Sequence, residues 1–208
     1  MNYNTNKAKG KNTHKAGKKE KFILIGSSNF FKIQEICENP HHIFKKINFQ
    51  NFSARGLTAN EYEKKFFIDF FDFEKFPKNA FLILSIGTNH FQNDKFSLYS
   101  MSFLTSIFKL LQLGIEPSKI IVLGPFVRGH CKVTYDSQNE SVNCLVIQLK
   151  RLGILAVNPF HQIDYKILIS RNELFGKSKD GVHFSKKVRI LLFEIIGNLI
   201  EKKINTLK

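Results

Sequence analysis

Residues 80–90 read Ala-Phe-Leu-Ile-Leu-Ser-Ile-Gly-Thr-Asn-His. The run is apolar up to Gly87 except for Ser85, with none of the alternation expected of a strand that is wet on one side. An unbroken apolar run of this length suits a strand covered by helices on both faces, which is the environment of a parallel sheet. Similar runs lie on either side of it. Residues 22–25 (Phe-Ile-Leu-Ile) end at Gly26, and 119–123 (Lys-Ile-Ile-Val-Leu) at Gly124-Pro125. Residues 154–157 end at Asn158-Pro159, and a weaker run at 47–52 leads to Arg55-Gly56.

Helical spacing fills the intervals. Residues 61–76 are crowded with Phe and acids. Residues 98–113 carry Met101, Leu104, Phe108 and Leu111 before Gly114. Residues 141–152 place Val142, Leu145, Leu149 and Leu152 on one face. The last stretch, 186–204, does the same with Val188, Leu191, Leu192, Ile195 and Leu199, and Lys202 and Lys203 sit where a helix dipole favours cations. Strand and helix alternate throughout. The expected fold is α/β: a three-layer αβα sandwich on a mostly parallel, five-stranded sheet.

Composition limits the rest. The chain has 208 residues, 43% of them hydrophobic and 24% charged, enough for one domain with a core that needs no metal or disulfide staple. No apolar run reaches the ~18 residues of a membrane span. The first twenty residues lack the apolar stretch of a secretory signal, so an intracellular protein, cytoplasmic or nuclear, is expected. Cys37, Cys131 and Cys144 lie far apart and read as reduced thiols in or near the core. His41, His42, His130 and His161 have no ligand spacing with cysteines or acids, so neither metal nor cofactor is expected.

Net charge is +15. Residues 1–20 hold six lysines and almost nothing apolar, and read as a disordered basic tail ahead of a domain at 21–208. Such charge favours nucleic acid as a partner. Against that, 27 of the 32 basic residues are Lys, whereas the readers of phosphate and base edges favour Arg, and the excess of Lys, Asn and Phe is what A+T-rich coding would produce.

In open parallel sheets, ligands bind beyond the carboxyl ends of the strands. The segments there are Gly26-Ser27-Ser28-Asn29, Arg55-Gly56 and Gly87-Thr88-Asn89-His90. Asp180-Gly181-Val182-His183-Phe184-Ser185 precedes the last helix. Together they offer a hydroxyl, a free backbone N–H, a carboxamide, and a carboxylate three residues from an imidazole. That set suits acyl transfer: serine needs a base to take its proton, the base needs an orienting carboxylate, and the oxyanion needs fixed donors. Ser185 suits the N-cap of the last helix.

These four blocks, in this order, resemble those of the SGNH (GDSL-type) hydrolases over most of residues 21–200. The resemblance implies a flavodoxin-like αβα fold and serine esterase activity on a small, short-chain acyl ester. Ser28 would be the nucleophile, His183 the base and Asp180 its orienter. The oxyanion hole would comprise the Ser28 N–H, the Gly56 N–H and the Asn89 side chain. Ser27 stands where the family usually has Asp, and His90 where it often has Asp. Ser27, Thr88, His90, Arg128 and His130 are candidates for substrate contact. The stretch from Asn172 to Phe175, running into residues 180–185, is similar to the last block of esterase domains carried by some retrotransposon and viral open reading frames. The rival reading is a weakly catalytic or non-catalytic module of the same type that binds RNA or DNA through its basic surface and tail.

Overall fold

The computed structural model describes residues 19–30, 41–53, 79–86, 96–130, 133–176, 181 and 183–206, without the side chains of 96–99 and 170. Strands β1 (Lys21–Gly26), β2 (Asn48–Asn51), β3 (Phe81–Ser85), β4 (Ile120–Leu123) and β5 (Leu155–Val157) form one sheet in the order β2-β1-β3-β4-β5. Every pairing is parallel. This is the flavodoxin-type winding, in which strand order reverses between β1 and β3 and leaves a crevice at their carboxyl ends.

The inner strands are the most apolar. Every residue of β3 and β4 is buried, and Phe22 of β1 stacks on its register partner Phe81 with ring centroids 4.7 Å apart. β2 is an edge strand of sequence Asn-Phe-Gln-Asn with no fully buried residue, which is why its run reads weakly.

Four α-helices lie among the described residues: α1 (Phe96–Gln112), α2 (Tyr135–Arg151), α3 (Tyr165–Ser170) and α4 (Lys186–Asn205). α4 lies where expected and buries Val188, Leu192, Phe193, Ile196 and Ile200. In α1 the period is right and the stripe is only half right: Phe103, Ile107 and Leu110 face the core, Leu104 and Leu111 pack against it partly buried, and Met101 and Phe108 are 68% and 49% exposed. α2 begins at Tyr135, six residues ahead of the expected 141. Its first turns are polar, and they are started by Thr134, whose hydroxyl accepts from Ser137 N–H, rather than by an apolar stripe. The short α3, capped by Asp164, was not expected. Cys144 is a free thiol on the exposed face of α2, not in the core. Cys37, Cys131 and the helix expected at 61–76 lie outside the described residues.

Residues 1–18 of the expected tail also lie outside. Lys19 and Glu20 already contact the fold, since Asn48 N–H donates to Glu20 C=O at 2.8 Å and Lys19 Nζ to Lys45 C=O at 3.1 Å. No helix among the described residues is long and apolar enough to cross a membrane.

Candidate active site

β1 ends in a tight turn. A Cβ on Gly26 would lie 2.6 Å from Phe30 Cδ2 and 2.7 Å from Ser53 Oγ, so only glycine fits. Ser27 N–H then donates to Ser85 C=O at the end of β3 (2.9 Å), and Ser28–Phe30 close a 3-10 turn. The two serines differ sharply. Ser27 Oγ is sealed from solvent and has no hydrogen-bond partner among the described residues, whereas Ser28 is half-buried. Ser27 Oγ therefore lies inside the fold at the end of β1.

The His183 segment is held by several anchors, one of which reaches this turn. Phe184 N–H donates to Asn29 Oδ1 at 2.9 Å in a buried bond between residues 155 positions apart. Gly176 N–H donates to His183 C=O (2.8 Å) and Ser185 N–H to Leu174 C=O (3.0 Å), forming a short antiparallel bridge at Phe175 and Phe184. Gly129 N–H donates to Gly181 C=O at 2.8 Å. Gly181 has φ +68, and a Cβ there would lie 2.6 Å from His130 Cδ2, so geometry and space both require glycine. Ser185 caps α4 as expected: its Oγ accepts from Val188 N–H and donates to Glu173 C=O at 2.7 Å.

An aromatic floor lies under these loops. Phe30 packs on Phe126 (5.4 Å between centroids), Phe126 meets Phe184 edge-on (5.7 Å), and Phe184 stacks on Phe175 (5.9 Å). Beside it, Gln138 of α2 holds the loop after β4. Its Oε1 accepts from Arg128 N–H (2.8 Å), and its Nε2 donates to the carbonyls of Arg128 and Val133, each at 3.0 Å. Arg128 and His130 are thereby placed next to Gly181, with His130 exposed and at φ +52.

Of the expected site residues, Ser28, His183, Arg128 and His130 thus share one rim of the sheet. Ser28 and His183 each lie one residue from the same hydrogen bond. Asp180, Gly56, Thr88, Asn89 and His90 lie outside the described residues; the chain is described up to Ser53 and Ile86 on that rim. Asn29 and Gln138 carried no signal in the sequence beyond being amides near motifs, because a buried amide looks like a surface one until its partners are known.

A second cluster joins distant residues. His41, His42 and Glu201 bring one ligand atom each within 4.8 Å of one another, with His42 Nε2 3.0 Å from the carboxylate. Sequence spacing gives no hint of it. His41 Nδ1 accepts from Ile43 N–H, which puts the ring proton on the nitrogen facing Glu201. The cluster is thus arranged as a staple between the 3-10 turn His42–Lys45 and α4, with Gly197 leaving room for the His41 ring.

No family model and no curated protein sequence matches this chain. Its structure does have likenesses. The lipase/acylhydrolase of Enterococcus faecalis superposes with a TM-score of 0.63 at 14% identity, covering 88% of this chain and 96% of that one. An acetyl xylan esterase gives 0.63 at 12% identity, over 86% and 99% of the two chains. A member of the lipolytic G-D-S-L family from Veillonella parvula gives 0.56 at 15%, over 84% and 94%. At such identities the likeness is one of fold, and the chain has the SGNH/GDSL-type hydrolase fold.

Proposed function

We propose that the protein is a serine esterase acting on short acyl esters at the rim described above. His183, oriented by Asp180, takes the proton of Ser28 Oγ as that oxygen attacks the ester carbonyl. The Ser28 and Gly56 N–H groups and the Asn89 amide hold the oxyanion. The proton then passes from His183 to the departing alcohol. In the second half, water gives a proton to His183 as it attacks the acyl-serine, and His183 passes that proton to Ser28 Oγ as the acid is released. The observation that carries this reading is the buried Asn29 to Phe184 hydrogen bond, which holds the Ser28 turn and the His183 segment together. The fold shared with a lipase/acylhydrolase and an acetyl xylan esterase supports it.

The test is turnover of p-nitrophenyl acetate. Ser28→Ala is expected to lower kcat at least about 10³-fold, while Ser27→Ala stays within a few-fold of wild type. A fluorophosphonate probe followed by peptide mapping should label Ser28. Equal rates for wild type and Ser28→Ala would overturn the assignment. The net charge of +15 favours a second reading that is compatible with the first, in which lysine-rich surface and tail hold the enzyme near nucleic acid.

A further inference from the structure

Asn29 follows the proposed nucleophile and is 1% exposed. It bonds in two directions. Its Oδ1 accepts from Phe184 N–H, and its backbone C=O accepts from Arg189 Nε on α4, both at 2.9 Å. Since an N–H must face an acceptor, the orientation of the amide is fixed by its partner. The other hydrogen bonds of the His183 segment described above lead to the loop after β4 and to residues 174–176. The bond to Asn29 leads directly to the serine turn, with one peptide unit on each side separating it from Ser28 and from His183. The Arg189 bond fixes the same turn against the helix that begins just past His183.

We propose that Asn29 is a positioning residue: its side chain sets where the His183 backbone stands relative to Ser28. This rests on the esterase reading above. An aliphatic residue of similar size at 29 would fill the space and leave Phe184 N–H buried without an acceptor, which frees the segment to shift. Displacements near 1 Å cost a reacting pair about 10²-fold in rate. The substrate's own contacts are untouched, so the loss falls on kcat and not on KM.

Three variants and one measurement on the wild type decide it. Asn29→Leu is expected to lower kcat about 10²-fold with KM within about threefold, and to slow fluorophosphonate labelling of Ser28 in parallel. Asn29→Asp, which keeps an acceptor for Phe184 N–H, should recover most of that loss. Ser28→Ala sets the background. A folded Asn29→Leu protein with wild-type kcat, or an Asn29→Asp protein no better than Asn29→Leu, would overturn the proposal. Hydrogen exchange on the wild type needs no variant to fold: Phe184 N–H should be protected like the core of β3, and exchange at the rate of an open loop would also overturn it. If wild type neither turns over ester nor labels at Ser28, the esterase reading fails by itself. The tie between the two segments is then judged by Phe184 protection and its loss in Asn29→Leu.

Discussion

Adjacent residues of the same type have different fates where a strand ends. Ser27 continues the β1 direction and is drawn under the turn, while Ser28 begins the 3-10 turn and faces out. The resemblance assigns the nucleophile to Ser28 by its place in the block, and the fold shows why the place matters, because a one-residue shift moves a side chain to the other face of a strand. Burial also isolates Tyr165, which is fully buried with no partner for its hydroxyl among the described residues, and burial pushes its pKa well above the usual phenol range. Leaving such a hydroxyl unpaired costs about 1–3 kcal/mol, so Tyr165→Phe should be neutral or stabilising in urea denaturation at pH 8. A raised folded pKa means that stability is intact below the unfolded value and declines above it. The advantage of Tyr165→Phe over wild type should therefore widen as pH passes about 10, and an unchanged difference would contradict the burial argument.

Elements follow rules of the same kind, with caps and contacts overriding periodicity where the two compete. α1 is apolar on more than one face, so spacing established a helix without choosing its inward side, and the sheet chose Phe103, Ile107 and Leu110. α2 shows the reverse: its first turns have no stripe, only the Thr134 cap, and Asp136 near the positive end of the dipole. That polar start carries Gln138, which pins the loop after β4. Gln138→Leu would remove the hydrogen bonds to Arg128 N–H and C=O and to Val133 C=O. The expected cost is about 2–4 kcal/mol, read from urea midpoints, together with weaker ester turnover as the loop beside Gly181 loosens. A loss below about 0.5 kcal/mol would mean that the loop is held by other contacts. α4 was legible at both ends because cap and terminal lysines agree, although Leu191 of the expected stripe is 41% exposed.

Across the molecule, the strand order puts the carboxyl ends of β1 and β3 on either side of one crevice. The alternation of apolar runs with helical spacing made the parallel α/β sheet readable, while the flavodoxin-like order came only with the family resemblance. What sequence could not supply were the hydrogen bonds between segments far apart in the chain, of which Asn29 to Phe184 and His42 to Glu201 are examples. Partners of that kind are set by the completed packing and leave no spacing to detect. The charge of +15 is a property of this same scale, and it makes a separate prediction. If nucleic acid is a partner, the logarithm of its affinity should fall linearly with log salt, with a slope near −0.9 per duplex phosphate contacted. No binding at low salt in a fluorescence-anisotropy titration would leave the lysine excess as a matter of composition.

The 155-residue separation between the ends of one buried hydrogen bond also bears on how the protein is made. At about 5–20 residues per second, the ribosome delivers the Ser28 turn some 8–30 s before the segment that completes the site. On the esterase proposal, a nascent chain or fragment that stops short of His183 carries a serine without its base and should be inert toward esters. Activity should switch on only as the last helix leaves the exit tunnel.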